Sequence, residues 1–393
     1  MRMQRKLLVA GVLTLAVAAA IPAVRAADAG TAASGQAVSG QAAGHQTAAE
    51  GTALAGLSAQ QLAGQRVIYS YSGLNPPASL ISLIQHGEAA GVIFFGQNIS
   101  SKAQIAAVIK RLEQADASPL NPVRAPLLLM TDQEGGEVRR LPGQPYLSEK
   151  QIGANPLSQA KVLATQAGKG AAANLNSVGM NVNLAPVLDV YRKAGDFDDQ
   201  FGRSYSMNPS VVSALGANMI KAQQAAGVAA TAKHFPGLGA ATASQDTDTG
   251  PVTLNLSLAT IRNVDEVPFK SAISAGVRLV MVSWATYPSI QNRPAGLSSK
   301  VVQGELRNRL KFTGVTITDA LEAGALKNYG STQNRALLAA QAGMDLILAS
   351  AQNVTQGQQV RAELAAAYSN GTLNHAAFLA AVNRVIALRQ GLK

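Results

Sequence analysis

The run Ala229–His234 reads AATAKH and continues at once into Phe235-Pro-Gly237. Small, apolar and β-branched residues lead to two adjacent cationic or ionisable side chains, and Pro-Gly then punctuates the segment. This is the pattern of a short buried strand whose C-terminal end carries Lys233 and His234. Seven similar runs lie on either side of it: Val67–Tyr71 (VIYSY), Gly91–Phe95 (GVIFF), Leu127–Asp132 (LLLMTD), Val182–Pro186 (VNLAP), Leu279–Trp284 (LVMVSW), Val315–Asp319 (VTITD) and Leu346–Ala349 (LILA). Ala-rich stretches of 3.6-residue period fall between them, as at 101–114, 158–178, 209–226 and 299–310, and helical segments ending at Leu392 follow the last run. Strand and helix in strict alternation predict parallel strands joined by helical crossovers. Eight such units predict an α/β fold of the (β/α)8 barrel type, over a single catalytic domain at 57–393. A doubly wound open sheet is the competing architecture. The absence of G-x-G-x-x-G after the first run counts against it.

Asp132, His234, Trp284 and Asp319 fall at the C-terminal ends of four of the runs. In a barrel, the C-terminal strand ends form the face on which active sites are built. One such ending would mean little, but four predict a single converged site.

The chain has 393 residues, 47% of them hydrophobic and 14% charged, which excludes wholesale disorder. It has no cysteine and four histidines, with no H-E-x-x-H pair. Disulfides, thiolate metal sites and a cysteine nucleophile are thereby excluded, and neither a metal nor an organic cofactor is expected. Residues 1–26 read as a secretory signal. Arg2, Arg5 and Lys6 precede the apolar run Leu7–Ile21, and Val24-Arg25-Ala26 offers small residues at cleavage spacing. An uncleaved anchor is the other reading of that segment. Residues 27–56 are Ala, Gly, Ser, Thr or Gln at 25 of 30 positions and read as a flexible tether. A periplasmic or secreted monomer is expected, with no membrane span once the signal is removed. Removal of residues 1–26 would lower the net charge from +11 to +7. The remaining basic residues are scattered rather than clustered, so no nucleic-acid partner is expected.

Five motifs carry the chemistry. They are Thr131-Asp-Gln-Glu-Gly-Gly136 with Arg139-Arg140, Asn183-Leu-Ala-Pro-Val-Leu-Asp189, Phe201-Gly-Arg-Ser-Tyr205, Lys233-His-Phe-Pro-Gly237 and Thr316-Ile-Thr-Asp-Ala-Leu321. In this order they resemble glycoside hydrolase family 3, specifically its single-domain β-N-acetylglucosaminidases. The resemblance implies a (β/α)8 barrel. It also implies a catalytic nucleophile at Asp319 and sugar-binding roles for Asp132, Arg140, Arg203, Lys233 and His234. The residue chemistry is compatible with these roles. Retaining glycoside hydrolysis needs one carboxylate as nucleophile and a second group as acid and then base. A carboxylate such as Asp132 accepts paired hydrogen bonds from vicinal hydroxyls. Lys233 and His234 can donate to sugar hydroxyls and keep neighbouring carboxylates ionised. Simpler readings remain open beside these. Asp319 would also suit a helix N-cap, and Arg203 could be an ion-pair partner of Asp189 or Asp198. Glu134 could be structural. Trp284, the only tryptophan, could stack on a sugar or fill the core.

The pattern departs from the family in one loop. The related enzymes carry a histidine as acid/base, two residues after an aspartate, in the loop that follows K-H-F-P-G. Here that loop reads Asp246-Thr247-Asp248, with Asp248 at the histidine's place. Asp248 is then the expected acid/base, its pKa raised by like-charged Asp246; Asp246 itself is the alternative. The small residues of the loop suggest a lid that closes on substrate. An ionised Asp248 would repel phosphate as an acceptor, so hydrolysis and not phosphorolysis is expected. The predicted function is retaining, exo-acting removal of terminal β-linked N-acetylglucosamine from peptidoglycan fragments or chitin-type oligosaccharides. A β-glucosidase-type exo-glycosidase and a non-catalytic glycan-binding barrel of the cell envelope are the alternatives.

Overall fold

Alternation within each strand decides which side chains meet. In β3 (Leu128–Thr131), Leu128 and Met130 point one way, while Leu129 and the preceding Leu127 point the other. The same division separates Leu279 and Met281 from Val280 and Val282 in β6 (Leu279–Val282). Two cores result, as a period of two requires. One fills the lumen with Ile68, Ile93, Leu128, Met130, Leu184, Met281, Ile317 and Leu348; the other lies between strands and helices. Each large apolar side chain withdrawn from water in this way contributes about 1.5–3 kcal/mol.

The computed structural model describes Leu54 and residues 56–392. The signal expected over 1–26, and all of the tether expected over 27–56 except Leu54 and Gly56, lie outside the described residues. The remaining strands of the barrel are β1 (Val67–Tyr69), β2 (Gly91–Ile93), β4 (Val182–Asn183), β5 (Ala229–Phe235), β7 (Val315–Thr318) and β8 (Ile347–Leu348). All neighbours pair in parallel, in the order β7-β6-β5-β4-β3-β2-β1-β8. A bridge between Ile317 and Leu346 joins the two ends, with Leu346 N donating to Thr316 O at 2.9 Å and Thr318 N to Leu346 O at 3.0 Å. The eight predicted strands therefore close into a (β/α)8 barrel, and the open-sheet alternative is excluded.

The crossover helices are α1 (Ala78–Gln85), α2 (Lys102–Asp116), α3 (Leu157–Asn176), α4 (Pro209–Ala225), α5 (Val267–Ser274), α6 (Lys300–Arg309) and α7 (Thr332–Ala342), followed by α8 (Val354–Ser369) and α9 (His375–Gln390). α6 differs from the expected α-helix in being wound as a wider π-helix. α9 has a second task. Its Val385 and Leu388, with Leu392 beyond it, belong to the lumen core and plug the N-terminal end of the barrel. Buried Arg389 fixes the plug by donating to Pro126 O at 2.9 Å, Ala125 O at 2.6 Å and the Gln65 side chain. Among the described residues no helix is long and apolar enough to cross a membrane.

Candidate active site

With the N-terminal end plugged, the C-terminal rim is left open. A cavity of about 380 Å3 opens there, lined by Asp132, Arg140, Arg203, Lys233, His234, Asp246, Asp248 and Asp319. Every sequence-predicted site residue except Trp284 reaches it.

Lys233 ends in a carboxylate vice. Its Nζ donates to Asp132 Oδ1 and lies equally close to Glu134 Oε1, each at 2.7 Å. Arg203 grips the same Glu134 with two hydrogen bonds, Nε to Oε2 at 2.9 Å and Nη2 to Oε1 at 3.0 Å, and reaches Asp198 Oδ1 at 3.1 Å. Burial alone would raise the Glu134 pKa, but Arg203 and Lys233 overcome it and hold the carboxyl at about 2. For Lys233 burial favours the neutral amine; Asp132 and Glu134 outweigh it and keep the ammonium charged. Glu134 is thus the hinge of an ion network. Arg203 is both cavity wall and ion-pair partner, with Asp198 and Glu134 rather than Asp189.

His234 is set from behind. Its Nδ1 lies 2.7 Å from Asp189 Oδ2, and its backbone N–H also meets that carboxylate at 3.2–3.3 Å. Leu238 N donates to the other oxygen at 2.5 Å. Nε2 has no protein partner among the described residues and is left for the cavity. Burial first, and then Arg203, lowers the His234 pKa to about 4, so the imidazole is neutral near pH 7. A neutral His234 can exchange hydrogen bonds with a sugar, and Lys233 carries the standing charge of the pair. Burial likewise lifts Asp189 to about 6 and Asp198 to about 7. Asp189, Asp198 and His234 bring possible ligand atoms within 4.8 Å of one another. Arg203 on Asp198 is a fixed cation beside this trio, and the Asp189–His234 hydrogen bond already uses two of its atoms. The donor set suits orientation of an imidazole better than capture of a metal ion.

Asp319 follows β7 directly, and its Oδ1 accepts from Ala320 N at 2.8 Å. It caps no helix, because Ser331 is the N-cap of α7. Burial pushes its carboxyl above the ordinary range, His234 and Lys233 act in the opposite sense, and Asp248 adds to the rise. Asp248 lies at the exposed mouth of the cavity. Partial desolvation raises its carboxyl, and Asp246 raises it further. Asp246 is the next wall residue, and its Oδ1 accepts from Asp248 N at 2.9 Å.

The loop that carries Asp248 is seated. Gly324 N donates to Asp248 O at 2.8 Å, and Ala325 N donates to Thr247 O at 2.9 Å. A Cβ on Gly324 would collide with Thr249 O and come within 2.9 Å of Asp248 O. In place of the free lid expected from its small residues, the loop is pinned main chain to main chain onto the segment that follows Asp319.

Trp284 is corrected as well. It is 1% exposed and does not line the cavity. Its ring packs so closely on Gly296 that a Cβ there would sit 2.6 Å from the indole, and its Nε1 donates to Ala320 O at 2.8 Å. It steadies the residue after Asp319 and cannot stack on a sugar. Arg140 remains at the rim, its Nε 3.9 Å from Asp132 Oδ2. Sequence reading also passed over Phe197 and Phe201, which pack edge to face at 5.6 Å on the cavity wall; Phe201 is 45% exposed.

Residues 58–388 match the model for the glycosyl hydrolase family 3 N terminal domain. The chain belongs to that family. It is therefore a glycoside hydrolase, as the five motifs implied. An uncharacterized secreted glycosyl hydrolase of Arthroderma benhamiae is 47% identical to it, over 84% of this chain and 93% of that protein. A beta-hexosaminidase of Nitrosomonas eutropha is 36% identical over 67% of this chain and 74% of its own length. Among solved structures, the family 3 beta-N-acetylglucosaminidase of Paenibacillus sp. str. FPU-7 superposes with a TM-score of 0.79 at 33% identity, covering 85% of this chain but only 62% of that protein. The beta-N-acetylhexosaminidase of Beutenbergia cavernae gives 0.75 at 30% identity, over 85% and 99%.

Proposed function

We propose that the protein is a retaining exo-β-N-acetylglucosaminidase that acts outside the cytoplasm on peptidoglycan fragments or chitin-type oligosaccharides. The observation that carries the reading is the pairing across one small cavity of Asp319, embedded beside Lys233 and His234, with Asp248, exposed and protonation-prone at the mouth. Asp319 attacks the anomeric carbon while Asp248 gives its proton to the departing glycosidic oxygen. Asp248, now a carboxylate, then takes a proton from water as that water displaces Asp319 and frees the sugar. Asp132, Lys233, Arg203 and the Nε2 face of His234 supply acceptors and donors for ring hydroxyls. A cavity of about 380 Å3 holds one monosaccharide with little to spare, which favours exo action. The relatives named for hexosaminidase activity, and one described as secreted, support the substrate class and the location.

The test is hydrolysis of nitrophenyl N-acetyl-β-glucosaminide against the β-glucoside, with the anomeric form of the first product followed by NMR. Faster cleavage of the N-acetylated substrate with β-anomer released first is expected. A preference for the glucoside or initial release of the α-anomer would overturn the reading.

A further inference from the structure

A cavity of about 600 Å3 lies apart from the one with the catalytic carboxylates. It opens beside the plug at the N-terminal rim, between α6, α7 and the first three turns of α9. Arg66 and Arg384 line it, and no acidic side chain does. Their charges are poorly matched. Two guanidiniums, Arg307 and Arg384, share the single carboxylate of Asp345, and a third, Arg66, lies beside them. Its Oδ1 accepts Arg384 Nε at 3.1 Å and Nη2 at 2.7 Å. Its Oδ2 accepts Arg307 Nη2 at 2.5 Å and Thr316 N at 2.8 Å. Arg66, almost wholly buried, receives only neutral partners: Nε donates to Asp345 O at 3.1 Å and Nη2 to Met344 O at 2.5 Å. Its guanidinium carbon lies 4.6 Å from the centre of the Phe378 ring, so one face is already against an aromatic wall. The Nη1 atoms of Arg66 and Arg384 have no acceptor among the described residues, and both residues line the cavity.

Buried or half-buried guanidiniums in excess of their carboxylates favour a counter-charge from solution, and planar N–H groups suit oxyanions. We propose that this cavity is a binding site for a small oxyanion, a phosphate or carboxylate group bridging Arg66 Nη1 and Arg384 Nη1. The site lies on the opposite rim from the catalytic groups and stands independently of the reading of their chemistry.

Isothermal titration at fixed ionic strength, using inorganic phosphate in one arm and succinate in the other, tests it on the full chain. One saturable site per chain is expected, and the stronger arm identifies the preferred group. Arg384→Gln should weaken binding about tenfold or more, the size of one charge-assisted contact. Ala377→Glu, at an exposed position on the cavity wall, should supply a carboxylate from within. It should weaken added phosphate by a similar factor and raise Tm in anion-free buffer by about 2 °C. Neither residue touches the catalytic cavity, so hydrolytic activity reports that each variant is folded; if Arg384→Gln does not fold, Ala377→Glu decides. Absence of saturable binding by either anion, or equal binding in wild type and folded variants, overturns the proposal.

Discussion

The two rims of the barrel solve opposite electrostatic problems with similar parts. At the C-terminal rim, carboxylates outnumber cations, and the excess is held by burial, by Lys233 and by bidentate Arg203. At the N-terminal rim the cations are in excess, and Asp345 alone faces Arg307 and Arg384. The difference lies in what each leaves unfinished. The first leaves carboxyls with raised pKa values open to a cavity, which is the condition for proton transfer. The second leaves guanidinium N–H groups, which suit holding an anion but do not titrate near neutrality. Charge clustering by itself therefore says little about catalysis; which sign is left over, and where, says more.

The sharpest way to break the comparison is to remove one carboxylate from each rim. Asp319→Asn should cut kcat/KM on the order of 10⁴-fold or more, with Tm changed little. Near-normal turnover of an aryl glycoside by this variant would overturn the assignment. Asp345→Asn should do the reverse. It leaves paired guanidiniums without their carboxylate, so unfolding by denaturant should show a loss of about 3–5 kcal/mol while kcat/KM of the folded enzyme holds. Equal losses of activity would mean that the rims are not separable.

Smaller changes sharpen the picture within the catalytic rim. Asp248→Asn should cost roughly 10²–10⁴-fold, least with substrates whose leaving group needs no proton. If Asp248 is the proton donor proposed above, its raised pKa makes the wild-type rate fall on the alkaline side as it ionises, and the variant's pH profile should lose that limb. Gly324→Val should unseat the Asp248 loop but leave Asp319 in place. About 10²-fold is expected, with the same leaving-group dependence as Asp248→Asn; a loss independent of the leaving group would exclude this positioning role. The smallest effect concerns stability. The folded-state pKa of Asp198 is raised to about 7, so its contribution is full below the unfolded value near 4 and fades as pH rises to 7. Asp198→Asn should flatten that part of the Tm profile, by at most about 4 kcal/mol of linkage. An unchanged slope would show that Asp198 titrates normally.

The barrel was legible because its strands are short, apolar and separated by periodic helices, so local pattern and global fold agree. Asp319, Lys233, His234 and Asp132 were legible for a related reason: a polar residue ending an apolar strand has no role inside the wall. What was hidden depends on distant partners. Asp189 locks His234 from 45 positions away, and nothing in either motif announces the pairing. Composition made the Asp246–Asp248 loop look free, while its restraint comes from the backbone of Gly324 and Ala325, which no side chain reports. Trp284 at a strand end looked able to face the site, but Gly296 leaves just enough room for the indole to turn into the core. The neutrality of His234 depends on a balance of burial and neighbouring charge that spacing cannot supply.

The seat of the 246–248 loop on Gly324 and Ala325 makes no use of the Asp248 side chain, so position 248 behaves as a socket indifferent to what is plugged into it. An imidazole, a longer carboxylate or an inert amide could be exchanged there while the mounting stays put. Asp248→His would thereby recreate, in one step, the arrangement of the related enzymes, making this barrel a bench on which two proton donors can be compared in an otherwise identical setting.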